Sequence, residues 1–520
     1  MDIEDILDEM NTRESQLSER LNRLNELISS QPDATDAAIH NQQIHPLISC
    51  LPYEMLTSVF KNGPNDPSSR MAFALSVSQV SRYWRDIAMQ TPFLWSGIHL
   101  LPWRTGLGYQ KFLEILIQRS HSHPLDIAIT RYESHSPQYI NRRNRMMALL
   151  HPLDASTNIQ HPETNHCLQA QLDIAVVEVS RWRSFTYHCD HPDGVSELTE
   201  RLAYLSAPIL ESFELEASSR GSEIQDYNIF LGGAPMLTHV HIHGVDPFSC
   251  LPPLSFVTSL RFERAREKIG GEDLLSILQC SPVLVSLHFE GTVVDLEDLF
   301  WQSLLGAHIE IQTLRCFSFS ASPSPKYFID GILNAIRCPA LESLTISNLN
   351  SWGGVQPSEL PSTQALPMPP FPMPPFPMLR YLKLSWIQCA QFAEYFDLTH
   401  LPLLDTISLT NCKLPIAVLH LLLPIQGRDD VWPVLRVIAL SHLGLKEFDD
   451  LGNIILHRRA CGRPIVAVEI DPVSLRNFPV QVEWLKQHVT VQRGERVHYR
   501  SDLPSYTPLM NVPTQSETAL

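Results

Sequence analysis

The chain has 520 residues, 44% of them hydrophobic, and a formal net charge of −17, values that predict a soluble globular protein of several domains. The acidic balance argues against general binding to nucleic-acid phosphates, and no apolar stretch approaches the length of about 20 residues that a membrane-spanning helix needs. Ten cysteines without a Cys-x-x-Cys pair argue against a zinc cluster or a disulfide framework, and the acidic start MDIEDILDEM predicts no secretory leader, so a cytoplasmic and/or nuclear protein is expected.

Residues 1–31 are predicted to form a separate amphipathic or coiled-coil helix, followed by a linker at 32–43. Apolar residues recur every seven positions in two series, with Glu14 as the single break. The heptad pattern is typical of a coiled coil, but about four heptads are marginal for one, so a helix folded back on the next domain is the alternative. The two series are Ile3, Met10, Leu17 and Leu24, and Leu7, Leu21 and Ile28.

Two short amphipathic runs follow between residues 44 and 100. In the first, LPYEMLTSVF, Pro52 stands where a helix can begin, and four apolar residues recur at helical spacing. The segment KNGPNDPSS must end that helix, and Ser68 or Ser69 can cap a second one beginning near Arg70. A module of about 50 residues is too small to be very stable alone, so it is expected to pack on a partner or on the next domain. The first run carries Met55, Leu56, Val59 and Phe60, and the second, VSQVSRYWRDIA, carries one predicted apolar stripe of Val80, Trp84, Ile87 and Ala88.

In this order, the residues resemble the F-box family, in the variant abundant in mushroom-forming fungi. The resemblance implies a three-helix hook that docks on the Skp-type adaptor of a cullin-based ubiquitin ligase, while the rest of the chain selects substrates. Met55 stands where the family usually has Ile or Leu, Ser81 where it often has Cys, and the loop at 61–69 is long. Without the family, the stripes would describe only the core of a small helical domain. The resemblance rests on Leu51-Pro52-x-Glu54-x-Leu56, Val59-Phe60, Val80-x-x-x-Trp84-Arg85 and Pro92-x-Leu94-Trp95.

The same resemblance assigns roles to individual residues of this chain. One set would form or support the surface that faces the adaptor, and a second set would complete the hook. The first set is Leu51, Pro52, Leu56, Val59 and Phe60, and the second is Val80, Trp84 and Ile87.

A recurring phrase, P-x-L-x-x-L-x-L, dominates residues 171–495. In the connecting segment 101–170 before it, KFLEILIQRS predicts a helix and HPLDIAITRY a strand. The last two apolar residues of each copy alternate with polar ones, as in a half-buried strand, and helix or loop sequences lie between copies. The pattern looks like an irregular leucine-rich-repeat α/β solenoid, a common substrate-binding partner of the F-box, although the Asn that usually ends the repeat is mostly missing. The copies are PILESFEL (208–215), PMLTHVHI (235–242), PVLVSLHF (282–289), PALESLTI (339–346), PMLRYLKL (377–384), PLLDTISL (402–409) and PVLRVIAL (433–440), with degenerate copies near 181, 255 and 308.

Two segments are predicted to lie outside this regular pattern. The Pro- and Met-rich insertion at 361–378, which contains PMPPFPMPPFPM, is expected to adopt extended polyproline geometry and loop out of the solenoid. The tail at 496–520 is expected to be disordered.

If the repeats stack in register, equivalent polar positions form rows across one exposed face of a sheet. The middle row is unexpectedly basic for an acidic protein. We hypothesise that His241, Arg261, His288, Arg315 and Lys383 attract an acidic or phosphorylated substrate segment, with ordinary solvated strand positions as the alternative. The predicted middle row is Glu214, His241, Arg261, His288, Arg315, Thr345, Lys383, Ser408 and Ala439, and one flanking row is Glu216, His243, Glu263, Glu290, Phe317 and Ser347.

The sequence His239-x-His241-x-His243 also admits a metal-site interpretation, because two-residue spacing on a strand places three imidazoles on one face. No acidic residue in fixed local spacing completes a site, so neither a metal nor another cofactor is predicted. Phosphate-loop, dinucleotide and nucleophile-elbow motifs are also missing from the sequence, and no catalytic residue is predicted.

Together these patterns predict an α/β protein with an N-terminal helix, a three-helix F-box-like domain at 44–100 and a leucine-rich-repeat solenoid. The function implied is that of a substrate receptor of an SCF-type ubiquitin ligase. Its partners would be a Skp-type adaptor, through it a cullin, and an unknown protein substrate, with neither nucleic acid nor membrane involved. An interaction scaffold outside the ubiquitin system is the alternative, and a metal-dependent hydrolase is the third interpretation.

Overall fold

The computed structural model describes the F-box-like region and most strands of the repeat region. The predicted N-terminal helix, the linker, the tail and all but the last three residues of the insertion at 361–378 lie outside the described residues. Those described are 51–101, 107–131, 164–189, 193–217, 228–245, 247–265, 268–291, 293–294, 309–320, 336–347, 376–386, 401–411, 418, 421–422 and 431–494.

Three short helices and a 3₁₀ turn open the described chain. The second helix is capped by Asp66, whose carboxylate accepts a hydrogen bond from the Ser69 N–H at 2.9 Å. The helix therefore begins at Pro67 rather than near Arg70, and neither Ser68 nor Ser69 is its cap. The elements are α1 (Tyr53–Lys61), α2 (Pro67–Val80), α3 (Arg82–Met89) and the 3₁₀ turn Pro92–Trp95.

The second predicted amphipathic run is divided between two helices at Ser81. This residue has an extended backbone, and its hydroxyl caps α3 by accepting a hydrogen bond from the Trp84 N–H at 3.1 Å. Val80 ends α2 and is 58% exposed, whereas Ile87 is 2% exposed. The predicted single stripe from Val80 to Ala88 is thus wrong at its first position, because the cap interrupts the helical periodicity.

Fourteen parallel strands form one open sheet in the described part of the chain, and they lie in the sheet in chain order. Two further short strands, β8 (Ile309–Glu310) and β10 (Ile336–Arg337), pair with each other instead. The strands of the large sheet are β1 (Gly97–Leu100), β2 (Leu125–Arg131), β3 (Trp182–Cys189), β4 (Ser212–Ala217), β5 (His239–His243), β6 (Ser259–Glu263), β7 (Ser286–Glu290), β9 (Cys316–Ser320), β11 (Ser343–Ser347), β12 (Tyr381–Ser385), β13 (Thr406–Thr410), β14 (Val437–Leu440), β15 (Ala467–Ile470) and β16 (Thr490–Arg493).

Helices and 3₁₀ turns lie between many of these strands. The predicted helix and strand of the connecting segment are confirmed as α4 (Leu107–Arg119) and β2, and both β1 and β2 join the sheet formed by the later strands. None of the helices in the described part of the chain has both the length and the apolar character needed to cross a bilayer. They are α4 (Leu107–Arg119), α5 (Thr164–Val176), α6 (Asp193–Leu202), α7 (Gly271–Gln279), α8 (Leu445–Ala460), α9 (Pro472–Asn477) and α10 (Pro479–Lys486), with 3₁₀ turns at Val179–Arg181 and Pro247–Cys250.

The recurring proline has the same structural role in all seven full copies of the phrase. In the first copy the Leu210 N–H donates to the Ala207 carbonyl at 3.2 Å, which closes a turn with Pro208 at its second position. Proline suits that position because its φ is already fixed near the value required and its missing N–H is not needed there. The turn leucine is buried, and the strand begins two residues later. The same bond joins Leu237 to Ala234, Leu284 to Ser281, Leu341 to Cys338, Leu379 to Phe376, Leu404 to Leu401 and Leu435 to Trp432.

One side of the sheet forms a continuous apolar core. On β5, Val240 and Ile242 are 2% and 1% exposed, and the residues between them point to the other side. Because parallel strands pair in register, equivalent core residues of neighbouring strands meet. The Phe185 and Phe213 rings, for example, stack with centroids 5.8 Å apart.

A buried charge cluster joins the helical module to the sheet. Arg70 on α2 is 2% exposed and donates a hydrogen bond to Asp126 on β2 at 2.6 Å. Asp126 also accepts hydrogen bonds from Arg183 at 3.0 Å and from Ser184 at 2.8 Å. Burial alone would raise the pKa of Asp126, but the hydrogen bonds from Arg183, Arg70 and Ser184 outweigh it and lower that pKa. The small module therefore packs against the next domain, as its size predicts.

We expect the substitution Asp126→Asn to lower the free energy of unfolding by about 3 kcal/mol or more, because it leaves the buried Arg70 guanidinium without its counter-charge. Urea unfolding followed by circular dichroism measures this loss. Asp173→Asn is the matched control: Asp173 pairs with Arg201 at 2.7 Å, but both side chains are about half exposed, so the change should cost at most about 1 kcal/mol. Equal losses in the two variants would contradict the proposed importance of the cluster.

The lowered pKa of Asp126 also predicts a pH dependence. The ionised carboxylate stabilises the folded state fully above its unfolded-state pKa of about 3.9, and this contribution is lost as the pH falls through the lower folded-state pKa. The difference in unfolding free energy between the wild type and Asp126→Asn should therefore shrink below about pH 4. Urea unfolding of both proteins in steps from about pH 6 to about pH 3 tests this, and a constant difference would contradict it.

Candidate functional site

Helix α1 buries one apolar face and exposes another. Leu56 and Phe60 are 1% and 0% exposed, whereas Met55 and Val59 are 55% and 54% exposed. Met55 and Val59 lie one helical turn apart, so their side chains are neighbours on the outer surface. Neither side chain contributes to the core of the module. Large apolar residues placed together in this way favour contact with a partner.

Aromatic packing holds α1 in place from beneath. The Phe60 ring lies 6.3 Å from the Phe73 ring and 5.4 Å from the Trp84 ring, both in edge-to-face contact. Ile87 is also buried, at 2% exposure. Leu56 and Phe60 are therefore inaccessible to a partner, so of the two roles predicted for them they can only support the surface, and Ile87 is likewise inaccessible. Trp84 is half-buried beside them.

The start of α3 lies beside the start of α1, because the Tyr83 hydroxyl donates a hydrogen bond to the Leu51 carbonyl at 3.1 Å. Leu51 packs half-buried against the core, and Pro52 is exposed. Val80, at the end of α2, points outward. Three further apolar side chains, Tyr53, Tyr83 and Met89, are also exposed. They were not singled out from the sequence, because exposure depends on how the helices pack. The exposed apolar set of the three helices is Tyr53, Met55, Val59, Val80, Tyr83 and Met89.

A second cluster of polar groups lies on the sheet side opposite the apolar core. There the pairing of β4, β5, β6 and β7 places equivalent polar residues next to one another, as the repeat register predicts. One row is Glu214, His241, Arg261 and His288, and the adjacent row is Glu216, His243, Glu263 and Glu290.

Arg315 does not belong to the middle row, which corrects the predicted register at the degenerate copy near 308. Ser318 of β9 stands opposite His288, and Arg315 precedes the strand and contacts Glu342 at 3.1 Å. The error arises because Leu314, two residues before the strand, holds the position of a turn leucine rather than a strand leucine. Phe317, predicted on the flanking row, is accordingly 2% exposed in the core. Lys383 does lie in the row, between Thr345 and Ser408.

The basic residues of β5, β6 and β7 in these rows all lie near carboxylates. His241 lies between two of them, with Nδ1 3.2 Å from Glu214 Oε1 and Nε2 3.4 Å from Glu263 Oε1. Arg261 contacts Glu263 and lies 3.6 Å from Glu290, and His288 Nε2 lies 3.7 Å from Glu290 Oε2. Each basic residue of the expected row on these three strands therefore lies beside a carboxylate.

These contacts favour the charged form of both partners, because they raise the pKa of His241 and lower the pKa of Glu263. Burial alone would lower the pKa of His241, but its contacts with the Glu214 and Glu263 carboxylates raise it to about 9. Burial alone would raise the pKa of Glu263, but His241, His243 and Arg261 hold it well below its usual range. In the free protein His241 is consequently a cation held between two carboxylates. A negatively charged segment gains little from a surface whose cations are already paired.

The sequence missed the acidic partners of this cluster, although it contained a signal for them. Glu216, His243, Glu263 and Glu290 occur at one repeat position, so in-register pairing already predicts that carboxylates of the neighbouring strands flank His243. The remaining histidine of β5, His239, is exposed, and its Nδ1 contacts the Thr238 hydroxyl at 2.8 Å outside the cluster.

Comparison with known proteins identifies the helical module. The protein-family model described as F-box-like matches residues 48–101, a range that contains α1, α2, α3, the 3₁₀ turn and β1. No curated protein matches the chain. The match covers the segment that carries the exposed apolar set and the buried residues beneath it. Residues 48–101 are therefore an F-box-like domain, which suggests a role in binding a ubiquitin-ligase adaptor.

Proposed function

We propose that this chain is a substrate receptor of a cullin-based, SCF-type ubiquitin ligase, acting in the cytoplasm or nucleus. The F-box-like domain would bind a Skp-type adaptor, and through it a cullin. The observation that carries this proposal is the F-box-like match together with the exposed Met55 and Val59 above a buried Leu56 and Phe60. The chain itself would perform no chemistry. It would act by proximity, since tethering raises the effective concentration of substrate lysines near the ubiquitin-loaded enzyme.

We also infer that the strands from β3 to β16 belong to an irregular leucine-rich-repeat solenoid that binds protein substrates. The seven turns closed by a buried leucine after a proline, and the parallel strands in chain order, support this inference. The polar side of the sheet is the substrate surface we propose. Its mixed charge favours a substrate segment of mixed charge over an acidic or phosphorylated one, because His241, Arg261 and His288 already have carboxylate partners.

The two faces of α1 predict opposite responses to substitution. Phe60→Ala should lower the free energy of unfolding by about 3–5 kcal/mol, because it opens a cavity beneath the helix. Val59→Lys should change it by at most about 0.5 kcal/mol, because the side chain is already exposed. Urea unfolding followed by tryptophan fluorescence reports both, since Trp84 lies against Phe60. A Val59→Lys variant as unstable as Phe60→Ala would show that Val59 belongs to the core.

Co-purification of the full chain with a Skp-type adaptor and a cullin tests the proposed function. The wild type should retain both proteins. The double variant Met55→Lys/Val59→Lys should bind the adaptor at least about tenfold more weakly, because two cations would be placed in an apolar contact. The double variant Leu51→Ala/Pro52→Ala should also weaken binding. Val480→Lys is the matched control: Val480 is 75% exposed on α10, outside the F-box-like domain, and its substitution should leave binding unchanged.

Each outcome has a distinct meaning. Failure of the wild type to bind any Skp-type adaptor would overturn the proposal and favour the second candidate, a repeat scaffold outside the ubiquitin system. Full binding by Met55→Lys/Val59→Lys would overturn the assignment of the contact surface while leaving the ligase role in place.

A further inference from the structure

Strands β5 and β6 bring together side chains of the kind that hold metal ions. His241, His243 and Glu263 each offer one ligand atom, and these atoms lie within 4.8 Å of one another. The carboxylate that the local sequence lacks around the histidines is supplied by the neighbouring strand. Parallel pairing places His243 directly opposite Glu263, and strand alternation places His241 on the same side of the sheet.

The spacing of these atoms fits a small tetrahedral centre. Glu263 Oε1 lies 3.4 Å from His241 Nε2, and Glu263 Oε2 lies 3.3 Å from His243 Nδ1. A tetrahedral ion with ligands at about 2.0–2.1 Å requires ligand atoms about 3.3–3.4 Å apart. Each separation therefore has the length of one edge of such a centre, and because the two end on different oxygens of Glu263, one of these oxygens would have to serve both imidazoles when the ion binds. The ligands lie on paired strands rather than loops, which limits the reorganisation that binding would need.

An unsatisfied polar atom also points to a ligand at this position. His241 Nε2 is fully shielded from solvent and forms no well-aligned hydrogen bond, and its ion-pair contact with Glu263 Oε1 is 3.4 Å long. A buried polar atom without a hydrogen bond is costly, and such atoms in folded proteins call for an explanation such as a bound ion. Coordination to a cation would satisfy this nitrogen and the Glu263 carboxylate together.

We propose that His241, His243 and Glu263 bind one divalent transition-metal ion of the Zn²⁺ type. Two imidazole nitrogens and one carboxylate oxygen are a donor set suited to zinc, and three protein ligands leave a fourth position for water or for a group of a bound partner. A neighbouring group of Glu263, His288 and Glu290 has only one imidazole and shares Glu263, so the set with two imidazoles is the stronger site. This site is independent of adaptor binding.

Arg261 is the principal group that opposes the ion. Its guanidinium contacts Glu263 and adds a positive charge beside the site. Metal binding would therefore displace this contact. Removing the Arg261 charge should strengthen metal binding, an effect that a purely structural ion-pair network would not show.

The test uses the full chain, purified with a tag that contains no histidine. Elemental analysis and calorimetric titration with ZnCl₂ at about pH 8 should show about one zinc ion per chain. The variants His241→Asn, His243→Asn and Glu263→Gln should each weaken zinc binding by at least about tenfold, and Arg261→Gln should tighten it. His239→Asn is the matched control, because this histidine lies on the same strand outside the cluster and its loss should not affect binding.

Circular dichroism of each variant separates loss of a ligand from loss of the fold. The proposal is overturned if the folded wild type binds no zinc, or if folded His243→Asn binds it as tightly as the wild type. It is also overturned if His288→Asn abolishes binding while His243→Asn does not, since that result would place the ion at the neighbouring group. Adaptor binding, measured separately by co-purification, neither supports nor contradicts the zinc site.

Discussion

Parallel pairing between β1 and β2 is the interaction on which the arrangement of the molecule depends. β1 belongs to the F-box-like domain, yet it is also the first strand of the sheet that runs through the repeats. The buried contact between Arg70 and Asp126 reinforces this junction, and Arg183 extends it to β3. Because the connection is made by backbone pairing and buried charge rather than by a linker, the exposed apolar set has a defined orientation relative to the first strands of the sheet. For the proposed receptor, that geometry would fix the first strands of the sheet relative to a bound adaptor.

The polar side of the sheet shows how burial and charge constrain each other. Side chains on β5 and β6 are packed closely enough that their charges lose part of their solvation, so His241 and Arg261 each require a carboxylate nearby. The carboxylates beside His241 come from the neighbouring strands β4 and β6 through in-register pairing, and Glu263 also contacts Arg261 on its own strand. This compensation removes the free basic row expected for an acidic substrate, and it creates the group of imidazoles and carboxylate proposed to bind zinc.

Local patterns predicted much of the fold, and the failures have specific physical causes. The proline turn and the alternation of the strands are local properties, so most copies of the phrase were placed correctly. Asp66, and not Ser68 or Ser69, is the cap because Pro67 occupies the first helical position, where proline is favoured, and the residue before it is therefore the N-cap. Val80 does not lie on the predicted apolar stripe, because Ser81 ends α2 and caps α3, so that Val80 and Trp84 belong to different helices. In the copy near 308, the sequence does not distinguish the turn leucine Leu314 from a strand leucine, because both positions carry the same residue type. The predicted row therefore contains Arg315, although Ser318, three residues later, holds that position.

The sequence by itself determined the strand positions in most repeats and the outward-facing histidines of β5, because these follow from spacing within about ten residues, and its motifs carried the resemblance to the F-box family. Only the tertiary structure decided which side chains meet. The Arg70 and Asp126 charges are 56 positions apart in the chain, and the carboxylate of Glu263 reaches His241 and His243 from another strand. Such contacts depend on strand order, on register and on which helix face is covered, and these follow from how the elements bury their apolar sides against each other rather than from any local pattern.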